Sequence, residues 1–477
     1  MSIHNNHYNT IIIGGGASGM MAAVFAASGA SSHEENGVDI TENNINQNKI
    51  LIIEKNSELG KKLKITGGGR CNILNAEYDT EKLLSNYVGA KKYLHTPFSK
   101  FGVSETVEFF KNIGIEIKIE DRKRAFPKSE KAMDVFNALY KKIESFKDKD
   151  GNNTVEIKLN TRIQKFSLSK NKVEYIEIVS NVDGKEVEEK IYGDKFILAT
   201  GGMSHKETGS DGFGFSLLEK IGIQIDPFNP SLVPISVSNN WVKNLSGKSI
   251  ENIKLTFSVD GIKKKVLKLS KTPPQPLPKG GALNAEGINR ILFTHFGLSG
   301  PTILNTSKQI NEWLQEGEVN MSIDLFPESD EKVMDIFLLN IFDNNKNKLF
   351  KNVLNNIYGG NVLETIFRDK NFCLENNFDM NENGFLEKPV HSISKVERRK
   401  LVNVLKSIKI NITGLMSYEK AIIADGGVNL GEINFENMSL KKVSNLHVTG
   451  DLLNITRPSG GYSLQLCWTT GHIAGKA

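Results

Sequence analysis

The chain has 477 residues, a formal net charge of +5, 39% hydrophobic and 24% charged side chains. That balance excludes a disordered chain and falls short of the basic density of a dedicated nucleic-acid binder, while ~150 residues per domain calls for two to four domains. Its three cysteines, Cys71, Cys373 and Cys467, form no CxxC pair and no metal-ligand spacing, which excludes a disulfide framework, a zinc module and a sequence-adjacent redox dithiol and points to a reducing, cytoplasmic compartment.

In chain order, residues 10–13 read as a short buried strand, followed at once by Gly14-Gly15-Gly16-Ala17-Ser18-Gly19 and a small-residue helix over 20–27. This is GxGxxG between a strand and a helix. Gly14 permits the turn, Gly16 lets backbone N–H groups approach a pyrophosphate, and Gly19 allows close helix–strand packing. The helix N-terminus, with Ala17 and Ser18 in its loop, supplies partial positive charge to phosphates. Residues 11–30 are apolar enough to mimic a signal peptide, but no Lys or Arg precedes them and three successive glycines suit no membrane helix, so neither a leader nor a span is expected. A second buried strand over 51–53 ends in Glu54-Lys55, the carboxylate expected to hold the adenosine ribose. The polar run 31–48 reads as a surface insertion that lengthens the gap between the two motifs.

Lys64 precedes a loop, Thr66-Gly67-Gly68-Gly69-Arg70-Cys71, whose glycines suggest backbone pressed on a ligand with Arg70 as a fixed cation. Helices are expected over 104–112 and 129–146 around a strand at 115–119, then meander strands over 155–166 and 173–179. A strand at 196–199 runs into Thr200-Gly201-Gly202, where the chain touches the cofactor and leaves the domain. From 227 the texture changes. Short strands at 232–237, 253–259, 263–269, 291–294 and 319–325 have barrel-like spacing around a proline-rich loop at 273–278. Residues 331–399 read as mostly helical, and 409–413 and 421–424 return through the barrel.

The last segment decides between cofactors. A strand over 446–449 ends in Gly450-Asp451, and Gly460-Gly461-Tyr462-Ser463 opens a final helix. A carboxylate there suits a ribityl hydroxyl, and the helix N-terminus suits the flavin edge where reduction gathers negative charge. The order GxGxxG, acid, and a late Gly-Asp with a helix argues for non-covalent FAD over NAD as the resident cofactor.

Taken together, IIIGGGASGMMAA, LIIEKN, KITGGGRCNILN, ATGGMS, LFTHFGLSGPTIL, ADGGVN and GGYSLQLCWTTG resemble a family of bacterial NAD(P)/FAD-dependent oxidoreductases with members described as aminoacetone oxidases and bile-acid dehydro-reductases. The resemblance covers most of the chain. It implies an α/β fold: a Rossmann-like, two-dinucleotide-binding FAD domain of glutathione-reductase type, interrupted by a β-barrel-like domain that is itself interrupted by a small helical one. On this chain these fall at 1–226 with 414–477, at 227–329 with 407–425, and at 330–406. Two departures stand out. Gly450-Asp451 replaces the usual Gly-Glu, and Arg457-Pro458 replaces what is often Asp-Gly, putting a cation near the flavin end.

His295, in a glycine-flanked turn, is a candidate proton donor or substrate-binding group, or a histidine held structurally at a strand end. Cys71 is a candidate near the flavin or a small core side chain. Tyr462 would cover the ring, donate through its hydroxyl, or simply pack. His205 and Asp211 sit in a glycine-rich loop that contacts cofactor or forms a lid, or is merely solvated. The expected cofactor-binding set is Gly14, Gly16, Ala17, Ser18, Gly19, Glu54, Lys55, Lys64, Gly69, Arg70, Cys71, Thr200, Gly201, Gly202, Gly450, Asp451, Gly460, Gly461, Tyr462 and Ser463, with no metal. The expected activity is hydride exchange between FAD and a small organic substrate, with transient NAD(P)H or O2 closing the cycle and no nucleic-acid or membrane partner. A flavoprotein serving RNA modification and a non-catalytic flavin binder are the alternatives.

Overall fold

The computed structural model describes residues 6–29, 49–182, 185–260, 265–269, 290–359, 361–378, 384–416 and 423–477. The insertion at 31–48 and the proline-rich loop at 273–278 lie outside them. The chain divides into two units, Met1–Pro230 with Ala421–Ala477, and Ser231–Lys420.

The first unit is built on a nine-stranded sheet. Its parallel strands lie in the order Leu446–Val448, Lys185–Leu198, His7–Ile13, Ile50–Ile53, Val155–Lys158. The central strands are runs of isoleucine and leucine because both their faces are covered, and Ile11, Ile12, Leu51 and Ile52 are fully buried. Followed along the chain, the sheet grows from His7–Ile13 first to one side and then to the other. The reversal beside the first strand opens the crevice where such sheets bind ligands. Ile13 lies opposite both Ile53 and Leu198, and Leu198 opposite Val448. Gly14, Glu54, Ala199 and Thr449 therefore emerge at one level.

Two helices close this edge. Ala17–Gly29 and Tyr462–Lys476 pack backbone to backbone: a Cβ on Gly471 would stand 2.5 Å from the Ser18 carbonyl oxygen, and one on Gly475 2.6 Å from that of Ala22. Trp468, fully buried, fixes the second helix by donating its indole N–H to the Ile73 carbonyl at 2.8 Å. Ile73 leads into a small antiparallel sheet of Leu74–Asn75, Arg124–Pro127 and Ile117–Glu120.

Two strands differ from expectation. Residues 155–166 are not one strand: Val155–Lys158 extends the parallel sheet, Asn160 takes φ 50°, and Thr161–Ser169 restarts antiparallel to Lys172–Val182. Alternation persists through the break, so hydrophobic pattern alone hides it. Ile423–Val428, expected to return through the barrel, pairs instead with Ile225–Ser231 in the first unit. Gly426 permits this because the Pro227 carbonyl oxygen lies 2.5 Å from where its Cβ would stand.

The second unit carries an eight-stranded sheet in the order Ser249–Glu251, Arg290–Thr294, Gly297–Ser299, Ile235–Val237, Ile408–Leu415, Glu318–Asp324, Lys254–Asp260, Lys265–Leu269, antiparallel throughout. Val319, Met321 and Ile323 point inward and alternate with partly exposed neighbours. The helices Glu331–Asp343, Phe350–Ile357 and Lys395–Lys406 add Leu338, Phe350 and Leu401 to the same core. The helical segment thus shares its core with the sheet. Its starts are capped as its sequence requires, with Asp330 accepting the Val333 N–H and Ser394 forming a capping box with Glu397.

Candidate cofactor site

At the level where the strands end, Gly14 turns with φ 105°, and a Cβ there would stand 2.5 Å from the Ala199 carbonyl oxygen. The turn delivers the chain into Ala17–Gly29, whose first N–H groups have no partner within the helix and face the loop. Glu54 is buried, and its Oε2 accepts the Gly15 N–H at 2.8 Å while Oε1 accepts the Asn56 backbone N–H at 2.9 Å and its carboxamide at 2.7 Å. The carboxylate is thereby fixed against the glycine turn, and Oε2 retains an acceptor position for a hydroxyl.

The loop Thr66–Gly69 lies beside the short helix Lys61–Ile65. Gly67, Gly68 and Gly69 all take positive φ and are exposed, and no heavy atom lies within 4 Å of a Cβ built on Gly68 or Gly69. Arg70 is held by Glu120 at 2.6 Å and Glu130 at 2.9 Å and lies over the Phe126 ring. Cys71 takes φ 59° and is fully buried, and burial pushes its thiol up to about 12. A thiol that stays protonated and away from solvent behaves as a small apolar side chain.

The crossing segment and the last strand meet here too. The hydroxyl of Thr200 is buried without a partner. A Cβ on Gly202 would stand 3.0 Å from the Asp451 carbonyl oxygen, and one on Gly450 would lie 3.0 Å from Ser18 Oγ. Ser18 in turn accepts the Thr449 hydroxyl at 3.2 Å. Asp451 is clamped by Arg457 and approached by Lys62 at 3.5 Å. Burial alone would raise its carboxyl, but Arg457 and Lys62 outweigh that and hold it below the usual carboxylate range.

Gly460 and Gly461 take φ 117° and 101° before the final helix. Asn75 donates to the Gly460 carbonyl at 3.1 Å, and Tyr87 donates to the Tyr462 carbonyl at 2.9 Å. Tyr462 packs edge-on against Tyr87, and burial pushes its phenol up to about 12. Ser463 accepts from Arg457 Nε at 3.0 Å.

The remaining expected residues are more peripheral. Lys55 pairs with Asp211 at 2.7 Å, and this ammonium overcomes the effect of burial to hold the Asp211 carboxyl low. Lys64 pairs with Glu58 at 2.6 Å and lies over Phe136. Gly201 takes φ 75° against Ser210. His205 faces Glu207 at 2.9 Å. His295 belongs to the second unit, exposed on the hairpin turn between Arg290–Thr294 and Gly297–Ser299 and edge-on to Phe296. Every other expected site residue lies in the first unit. Sequence reasoning missed Asn56, Lys62 and Asn75. Of these, only Asn56 carried a local signal, as the residue two past the strand-end carboxylate.

These residues fit FAD. The backbone at Gly16, Gly68 and Gly69 faces open space, the Thr200 hydroxyl awaits a partner, and a helix N-terminus and two carboxylates border the same edge of the sheet. Among the described residues, no three His, Cys, Asp or Glu side chains are grouped to hold a metal ion, and no helix is long and apolar enough to cross a membrane.

The profile of the family described as HI0933-like protein Rossmann domain matches residues 8–477. A 3-dehydro-bile acid delta(4,6)-reductase of Clostridium scindens is 26% identical over 431 residues, 90% of this chain and 92% of the relative. A ribosomal RNA dihydrouridine synthase of Escherichia coli is 23% identical over 423 residues, 88% of this chain and 90% of the relative. Among solved structures, the E. coli quinol fumarate reductase is similar at 12% identity and a TM-score of 0.49, with 98% of this chain and 69% of that one covered.

Proposed function

Because the chain belongs to the HI0933-like family of Rossmann-domain proteins, we propose that it is an FAD-dependent oxidoreductase that saturates a carbon–carbon double bond conjugated to a carbonyl in a small organic molecule, at the expense of NAD(P)H. The observation that carries this reading is the near full-length match to a relative named for reducing the delta(4,6) bonds of a 3-dehydro-bile acid. The E. coli relative, named for making dihydrouridine, points to the same bond chemistry, since uridine also holds a double bond conjugated to a carbonyl. FAD supplies a reversible hydride carrier between the two substrates.

The chain's own residues do the rest. The loop Gly14, Gly16, Ala17, Ser18 and Gly19 and its helix N-terminus hold the pyrophosphate, and Glu54 accepts a ribose hydroxyl. Gly69 and Arg70, Thr200 to Gly202, Gly450 with Asp451, and Gly460 to Ser463 wall the flavin end. Conjugate reduction sends hydride to the carbon remote from the carbonyl and a proton to the carbon beside it. Tyr462, whose phenol keeps its proton to about 12, is the candidate donor of that proton within the first unit. Three buried free cysteines suit a reducing, cytoplasmic compartment.

The test is turnover of NADH and NADPH by the FAD-loaded protein with a panel of enones, amines and O2, with products identified by mass. Consumption of nicotinamide with gain of two hydrogens by an enone supports the reading, and oxidation of an amine by O2 overturns it. The relatives named as ribosomal RNA dihydrouridine synthases favour a second reading, that the conjugated bond is a uridine in RNA. Dihydrouridine formed in unmodified ribosomal RNA, with no enone reduced, selects that reading.

A further inference from the structure

Three charged side chains of the first unit meet where no sequence motif joins them. Arg457, 3% exposed, sends Nη2 to Asp451 Oδ1, Nε to Ser463 Oγ at 3.0 Å and Nη1 to the Ile455 carbonyl oxygen at 2.6 Å. Lys62 stands 3.5 Å from the other Asp451 oxygen and donates to Ser204 Oγ at 2.7 Å. Two cations face the Asp451 carboxylate, and the other acid near Lys62, Glu207, is exposed and pairs first with His205 at 2.9 Å, so the cluster keeps an excess of positive charge. Arg457 also reaches the first turn of Tyr462–Lys476 through Ser463, where a cation opposes the helix dipole. Buried ion clusters are weak devices for stability, and a cation placed against a dipole is weaker still. Such an arrangement asks for an anion to serve.

We infer that Lys62, Asp451 and Arg457 form a fixed electropositive site that stabilises the negative charge FAD gains on reduction and so raises its reduction potential. The inference rests on the FAD reading above. The position follows from the neighbours: Asp451 abuts Gly202 and follows Gly450, which abuts Ser18, while Arg457 is bonded to Ser463. The charge therefore sits among three of the turns assigned to the cofactor. Away from bulk water one charge acts far more strongly than at an exposed surface. Lys62 and Arg457 are positioning residues in this role, acting through the field they set.

The experiment is the midpoint potential of the FAD-loaded protein, by equilibration with redox dyes, for the parent, Lys62→Gln and Asp451→Asn. Lys62→Gln removes a positive charge and shifts the potential negative. Asp451→Asn removes the compensating negative charge and shifts it positive. Each shift corresponds to at least a tenfold change in the reduced-to-oxidised ratio at fixed potential, about 30 mV for a two-electron couple. Unchanged potentials, or shifts of the same sign, overturn the inference, because a merely structural role gives no opposed signs. If Asp451→Asn releases FAD, the potential of Lys62→Gln alone decides. A parent protein that takes up no FAD defeats the cofactor reading and this inference with it.

Discussion

The Oε2 atom of Glu54 accepts the backbone N–H of Gly15 at 2.8 Å, tying the end of one parallel strand to the glycine turn that leaves its neighbour. The two motifs are 39 residues apart in the chain, yet the bond makes them one surface before any ligand arrives. Glu54→Ala removes this acceptor along with those for Asn56. A hydrogen bond to a charged group contributes about 1.5–3 kcal/mol, so FAD affinity is expected to fall at least tenfold. Fluorescence titration of the apoprotein with FAD reads this directly, and an unchanged Kd would place the ribose elsewhere.

The packing of the final helix on the first helix gives a prediction that needs no cofactor. Gly471→Val forces a side chain into the Ser18 carbonyl, 2.5 Å from the first added carbon, and overpacking of this kind costs about 1–3 kcal/mol. Gly359→Ala, with open space around it, is expected to change stability by less than about 0.5 kcal/mol. Denaturant midpoints of the two variants should separate clearly.

Which parts of this were legible in the sequence follows from the range of the forces involved. The Gly14 turn, Glu54 and the Gly460-Gly461 helix start are local: a buried strand, a turn only glycine tolerates, a helix. Their meeting at one level depends on the register of Ile13 with Ile53 and Leu198, which no single segment contains. Arg457 was visible only as a departure. Its partner Asp451 is six residues away, but the bond requires the chain to fold back over the start of the final helix. Lys62 carries no local signal, because its partners, Ser204 and Asp451, lie far along the chain. The break at Asn160 was hidden because alternation continues on both sides of it.

One buried and one half-buried histidine, His447 and His472, make stability depend on pH. Burial, with the nearby Lys476 ammonium, pushes His472 down to about 4; it stacks on Phe101 at 4.2 Å and leaves Nδ1 without a partner. Burial likewise pushes His447 down to about 4 despite its contact with the Asn437 carbonyl. A depressed histidine binds fewer protons folded than unfolded, so its contribution is complete above the ordinary value near 6.5 and is lost as pH falls toward 4. Linkage allows up to roughly 3 kcal/mol for each. Unfolding free energy should decline over that window, and His472→Phe should flatten the decline; a parent profile that is level from pH 6.5 to 4 would contradict the desolvation of both rings.

All three cysteines are buried and free, and burial pushes the Cys71 and Cys467 thiols up to about 12 and Cys373 to about 11. The native protein should therefore be nearly inert to a thiol-exchange reagent at neutral pH, whereas the unfolded protein should release three equivalents. Fast reaction of one native thiol, lost in Cys71→Ser, would restore that residue as a reacting group.

Anaerobic stopped-flow is the measurement that bears most directly on the proposed reduction. FAD-loaded protein is mixed first with NADH or NADPH and then with a conjugated enone, and the visible flavin band is followed. The account predicts bleaching by a nicotinamide and recovery of the band on addition of the enone, with the saturated ketone as product. A band that neither nicotinamide bleaches, or that recovers only with O2, would contradict it.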